Sequence, residues 1–180
     1  MVSFDETGFA SPSDRVAAPE TDAVYRRQAW EFLMAGGGIF SMLDYSFAVG
    51  HEDGTVVNRA PGGGSPALRR QLRVLKDFLE SLGVPALKPL RGLVVSAPGA
   101  FTRALGGGEK VLGVYVRGDG RSVLGLDLPK GTWREEWIDT KTSAVAKQGA
   151  FAHEGGRCER SSPPYEGDVA LRLVRENDDR

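Results

Sequence analysis

The chain has a single cysteine, Cys158, so no disulfide can close within it and no thiolate cluster can form. Its two histidines, His51 and His153, are too few for a typical zinc site. The segment HEDGT at 51–55 lacks the second histidine, four residues after the first, that a metalloprotease helix needs. Charge of one sign is also lacking: 23 basic residues against 24 acidic ones leave no electrostatic footprint for nucleic acid or a membrane surface. No apolar run is long enough to span a bilayer. The triple glycine at 62–64 stands near Arg69 and Arg70, but no Gly-Lys-Ser/Thr follows it, which leaves a flexible turn rather than a nucleotide loop. No metal and no cofactor is therefore expected.

What is present is a globular composition of 180 residues, enough for one ordinary domain or two small ones. Residues 22–35, DAVYRRQAWEFLMA, read as a helix capped by Thr21 and ended by Gly36. Tyr25, Ala29, Phe32 and Leu33 share one face, with Trp30 and Met34 beside them. Ile39 to Leu43 reads as a short buried strand, followed by a polar loop to Gly64. A second helix opens with Ser65 as N-cap and Pro66 at the first helical position. Leu68, Leu72, Leu75, Phe78, Leu79 and Leu82 give it one apolar stripe, and Gly83 ends it.

Beyond VPALKPL the period changes to two. RGLVVSA, AFTRAL, KVLGVYVRG, RSVLGLDL, REEWIDT, SAVAK and DVALRLVR read as strands, with RGDGR at 117–121 as a hairpin turn. That many short strands in so few residues predict an antiparallel β-sandwich. The predicted class is α+β in two parts: residues 1–85, a β–α–β–α segment that needs neighbours to cover its sheet, then residues 86–176, the sandwich.

The segment VSFDETG resembles the seventh strand of a retaining glycoside hydrolase (β/α)8 barrel, which closes with Glu, one residue and Gly, as Glu6-Thr7-Gly8 does. VYRRQAWEFLMAGGGIFSMLDY is similar to the helix and eighth strand of those barrels, in particular to the bacterial apiosidase-like and cellulase-like group. LRRQLRVLKDFLESL matches the last barrel helix. The β-rich half resembles the C-terminal sandwich attached to such barrels, often labelled a collagen-binding domain. LGVYVRGDGRSVLGLDLPKG, EEWIDTKTSAV and SPPYEGDVALRLV carry that likeness; Ser143 stands where the pattern has Gly.

The resemblance implies that residues 1–85 are a partial barrel, its last two βα units, and that strands one to six lie on a longer parent. It implies Glu6 as nucleophile, with the acid/base on a fourth strand this chain does not carry, so the chain alone is expected to be inactive. Retaining hydrolysis needs two carboxyl groups about 5–5.5 Å apart, and barrel catalytic groups sit at the carboxyl ends of strands. Read from its position alone, Glu6 is an exposed acid near a terminus; the resemblance is what implies the nucleophile.

Asp44 and Tyr45 follow the eighth-strand segment and are candidates for sugar contact, as hydrogen-bond acceptor and stacking ring, or else a turn residue and a half-buried ring. Trp133 and Trp137 are either a carbohydrate platform, which would make the sandwich a binding module, or core. The implied partner is a polysaccharide or oligosaccharide. Self-association through exposed barrel edges is the expected hazard. The start, Met1 to Glu6, is not a signal peptide; at face value that gives a cytoplasmic chain, whereas the resemblance implies a secreted or periplasmic parent.

Overall fold

The computed structural model describes residues 2–5, 19–41, 44, 46–56 and 64–176. The chain forms two compact units: Met1–Leu33 with Gly37–Lys76, and Met34–Gly36 with Asp77–Arg180. Mostly antiparallel sheets accompanied by two helices make the class α+β.

In the first unit, β1 (Ser3–Phe4) pairs in parallel with β2 (Ile39–Phe40), Ser3 opposite Ile39 and Phe4 opposite Phe40. Gly38 N donates to Val2 O and Ser41 N to Phe4 O, each at 2.8 Å, extending the pair at both ends. Between them runs α1 (Pro19–Leu33), beginning at Pro19 rather than at Asp22; proline suits a first helical turn, where its missing N–H has no partner to lose. The buried positions of α1 are Asp22, Tyr25, Arg26, Ala29 and Trp30, spaced three and four apart as one helical face requires. Phe32, read as part of that face, is only partly buried; it packs on Phe4, ring centres 5.3 Å apart, and Phe4 stacks on Phe40 at 5.7 Å.

The second helix, α2 (Pro66–Ser81), begins where the sequence places it. Ser65 Oγ accepts the Leu68 amide at 2.9 Å, the N-cap bond, and Gly83 at φ +96° supplies the left-handed exit. The boundary between units falls inside this helix, earlier than residue 85, because its last turn belongs with the sandwich: a Cβ on Gly113 would lie 2.6 Å from Leu82 Cδ1 and 2.9 Å from Phe78 Cε1. Burying those two side chains is worth about 1.5–3 kcal/mol each.

The second unit holds β3 (Lys88–Pro89), β4 (Val94–Ser96), β5 (Phe101–Gly106), β6 (Val111–Gly120), β7 (Val123–Leu128), β8 (Gly131–Asp139), β9 (Val145–His153), β10 (Gly156–Ser161) and β11 (Tyr165–Arg175). A six-stranded sheet runs β3-β5-β6-β11-β8-β9 and a three-stranded one β10-β7-β4, with every pairing antiparallel. Alternate residues of four strands meet between them: Leu112, Val114 and Val116 of β6; Leu124, Leu126 and Leu128 of β7; Trp133 and Trp137 of β8; Val169, Leu171 and Leu173 of β11.

The turn at 117–121 is not a hairpin, since β6 and β7 lie in different sheets. Gly120, at φ +82°, turns the chain away from β6, and Ser162 N bonds to Ser122 O at 2.9 Å on the far side of the corner. The end of β8 closes more locally. Asp139 Oδ1 accepts the amides of Lys141 and Thr142 at 2.8 and 2.9 Å, and Ser143 N bonds Asp139 O at 3.0 Å. Ser143 itself has φ +65°, the left-handed conformation that favours the glycine of the related pattern.

Candidate active site

Because β1 and β2 are parallel, their carboxyl ends lie on one side of the pair, and the residues that follow them emerge together. Asp5 follows β1 and Ser41 follows β2. Glu6 and Tyr45 lie outside the described residues; Asp44 is within them.

Asp44 organises the loop after β2. Its Oδ1 accepts Ser46 N at 2.9 Å and Ser46 Oγ at 2.5 Å, and its Oδ2 accepts Arg69 Nη1 at 3.1 Å. Arg69, on the first turns of α2, also donates to Ser46 Oγ at 2.7 Å and through Nη2 to Gly54 O at 2.8 Å. Its guanidinium lies 4.8 Å from the centre of the Phe47 ring. Asp44 and residues 46–56 are thus pinned to α2 by one arginine fork, whose planar donors reach several acceptors at once. At the loop tip Glu52 Oε1 accepts Gly50 N, and Asp53 Oδ1 accepts Thr55 N and Oγ1. Those bonds hold both carboxyls below their ordinary values, as expected of a solvated turn.

A second polar link joins the two helices of this unit. Ser65 Oγ donates to Asp22 Oδ2 at 2.9 Å, and Arg26 Nη1 donates to Gln71 Oε1 at 2.8 Å. Burial pushes the Asp22 carboxyl up, and Asp44 adds to that; the Ser65 bond and the Arg26 charge offset only part of it. Asp22, Asp44, Ser46, Ser65 and Arg69 therefore form one polar cluster beside the loop that leaves β2. It offers hydroxyl-binding acceptors and a fixed cation. Among the described residues no group of three His, Cys, Asp or Glu could hold a metal ion.

Sequence reasoning reached Asp44 but not its partners. Arg69 reads as one of several charges on the polar face of α2, and nothing in the period separates it from exposed Arg70.

Trp133 and Trp137 belong to the second unit, in the sandwich. Both are 0% exposed within its core, and Trp133 Nε1 donates to Pro129 O at 3.1 Å. Neither presents a face on which a sugar ring could stack, so the platform these two residues were a candidate for is not formed by them. Between them on the same inward face of β8 lies Glu135, 2% exposed. Arg160 of β10, in the opposite sheet, donates to it twice, Nε to Oε2 at 2.8 Å and Nη2 to Oε1 at 2.6 Å, and Lys147 Nζ lies 3.4 Å away. The Arg160 guanidinium also covers the Phe151 ring at 3.9 Å. Burial pushes the Glu135 carboxyl up, but the Arg160 bonds and charge, with Lys147, outweigh it and hold the group below the usual carboxylate value. This cluster ties the two sheets together.

No family model matches the chain, and no curated protein matches it by sequence. Solved structures do match. A glycoside hydrolase aligns with 88% of this chain and 38% of its own, at TM-score 0.62 and 21% identity. The chain shares its fold with parts of glycoside hydrolases. A glycoside hydrolase family 5 protein from Bacteroides vulgatus ATCC 8482 aligns with 86% of this chain and 36% of its own, at TM-score 0.61 and 17% identity. A GH30 endoxylanase from Clostridium papyrosolvens C71 aligns with 97% and 42%, at TM-score 0.54 and 10% identity. At these identities the likeness is one of fold, and the chain spans well under half the length of each structure.

Proposed function

We propose that this chain is the C-terminal portion of a retaining glycoside hydrolase: the last two βα units of a (β/α)8 barrel, followed by an accessory β-sandwich. Glu6 is the nucleophile of the parent. It attacks the anomeric carbon, the glycosidic oxygen leaves with a proton from a carboxylic acid on an earlier strand, and water then hydrolyses the glycosyl-enzyme ester. Lacking that acid, the chain alone does not turn over substrate. Its partner is a polysaccharide or oligosaccharide, and Asp44 with Tyr45 lies at the rim of the sugar site.

The observation that carries this reading is the parallel β1/β2 pair, each strand followed by a helix, in a chain that aligns with 86–97% of itself but only 36–42% of glycoside hydrolases. Parallel strands occur almost only in larger sheets covered on both faces, so a pair by itself calls for neighbours. Barrel catalytic groups stand where parallel strands end, and Asp5, which precedes Glu6 in the sequence, follows β1. The rival reading, a sandwich that binds carbohydrate through Trp133 and Trp137, draws no support from two indoles enclosed in its core.

Two experiments test the proposal. The coding frame upstream of Met1 should encode six further βα units. In the parent so defined, Glu6→Gln should abolish turnover of aryl glycosides while leaving the fold intact by circular dichroism. Undiminished turnover removes Glu6 from the nucleophile's role.

A further inference from the structure

The two sheets of the second unit end on β3, β9, β10 and β4, and only β9 leaves its edge unguarded. β3 has two residues, β4 has three and carries a register shift between Val94 and Ser96, and β10 bears Arg157, Glu159 and Arg160. Short strands, bulges and charges keep a sheet edge from pairing with another chain. β9, VAKQGAFAH, is nine residues long and runs in unbroken register with β8 from Lys147 to His153. Its one fixed charge, Lys147, is drawn inward: Nζ donates to Ser161 O at 2.6 Å and lies 3.4 Å from Glu135 Oε1.

The backbone of that edge is open. Glu176 N bonds to Thr132 O at 2.9 Å on the β11 side of β8, so Trp133, Glu135 and Trp137 turn their backbone groups toward β9. Their partners there are Phe151, Gly149 and Lys147. The N–H and C=O groups of Gln148, Ala150 and Ala152 therefore point off the sheet, and all three residues are exposed. Gly149, among them, has no conformational reason to be glycine. Its φ is not positive, and a Cβ there would meet only Glu135 Oε1, at 3.9 Å. A glycine inside a strand costs stability and often marks a place where another backbone comes close.

From this we infer that the free edge of β9 is a strand-pairing surface for a second copy of this chain, antiparallel about a two-fold axis at Ala150. The surface belongs to the sandwich and is distinct from the strands β1 and β2. This register is self-complementary, as a two-fold interface requires. Ala150 faces its own copy, Gln148 faces Ala152 of the second copy, and each facing pair exchanges its N–H and C=O groups. Gly149 then faces Phe151 of the second copy, so the open space beside the glycine takes a ring. That ring is already held in place, covered by the Arg160 guanidinium at 3.9 Å. No charge lies between Gln148 and Ala152, so like copies meet there without repulsion. Lys147, opposite His153 of the second copy, keeps Glu135 as its counter-ion.

Sedimentation equilibrium of the whole chain tests the inference. One strand edge lies at the low end of interface sizes, below about 1,200 Å², so a dimer with Kd of about 100 µM is expected. Ala150→Lys sets two ammonium groups against each other at the axis and should weaken the dimer at least about tenfold. Ala150→Thr raises strand propensity at the same point and should tighten it about threefold. Both variants should keep the near-ultraviolet circular dichroism of the wild type. Hydrogen exchange reads the register. As concentration rises through Kd, the amides of Gln148, Ala150 and Ala152 should slow by about threefold or more, while those of Gly149 and Phe151, already bonded to β8, stay unchanged. A chain that remains monomeric to about 1 mM overturns the inference. Association that Ala150→Lys leaves intact uses another surface, β1 and β2 included, and overturns it too, as does protection that falls equally on both sets of amides.

Discussion

Replacing Arg160 by leucine removes one partner of an ion pair that joins the two sheets of the sandwich and leaves Glu135, 2% exposed, without its two guanidinium bonds. Removing one member of a buried pair costs about 3–5 kcal/mol, because the remaining charge has neither water nor partner. Lys147 stays 3.4 Å from Oε1 and is itself 37% exposed, so it recovers part of the loss. The expected cost of Arg160→Leu at neutral pH is about 2–3 kcal/mol, equivalent to a Tm drop of about 4–12 °C for a chain of this length. The double variant Glu135→Leu/Arg160→Leu removes both charges and should cost only about 0–1 kcal/mol, less than the sum of the single variants.

The pH dependence has a definite sign. Glu135 is held below its unfolded value, so its contribution is complete above that value, about 4.3, and is lost as pH falls through the folded one. The gap between wild type and Arg160→Leu should therefore narrow in acid. Urea unfolding followed by near-ultraviolet circular dichroism at neutral pH and near pH 3.5 measures both effects, with Trp133 and Trp137 flanking Glu135 as reporters. A cost below about 0.5 kcal/mol for Arg160→Leu, or additive single variants, would refute the reasoning.

Ser143→Gly relieves a left-handed residue at φ +65° and should stabilise the sandwich by about 1 kcal/mol in the same titration. Trp133→Phe loses the bond to Pro129 O and part of a packed volume; it should cost about 1–2 kcal/mol without altering oligosaccharide affinity measured by calorimetry. Arg69→Ala frees the loop from α2, so hydrogen exchange at the Val56 amide should quicken by roughly tenfold or more. Arg69→Lys should fail to restore protection, since an ammonium cannot reproduce the fork that reaches Asp44, Ser46 and Gly54.

Those features differ in how far they could be read beforehand. The α2 helix was legible because its signals are local: Ser65 and Pro66 at the start, a leucine stripe, Gly83 at the end. Strands β6, β7, β8 and β11 announce themselves by alternation. Strand β10 does not, because the inward positions of GRCERS are Cys158 and Arg160. An inward arginine looks like a surface residue until its partner, Glu135 on another strand, is known. The corner at 117–121 has hairpin chemistry, yet sheet membership there is decided by how two sheets share a core, which no four-residue window contains. At the candidate site, Asp44 came from its place after a strand. The role of Arg69 depends on contacts across more than a dozen residues, and composition could not say whether Trp133 and Trp137 faced water or each sheet's interior.

The account turns on one carboxylate. Incubating the longer parent with a panel of 2-deoxy-2-fluoroglycosides, which form the glycosyl-enzyme ester but hydrolyse slowly, and mapping the label by peptide mass spectrometry, tests it most directly. The account predicts one stoichiometric ester on Glu6, absent from Glu6→Gln. A stoichiometric ester on a different carboxylate, with Glu6 unmodified, contradicts it.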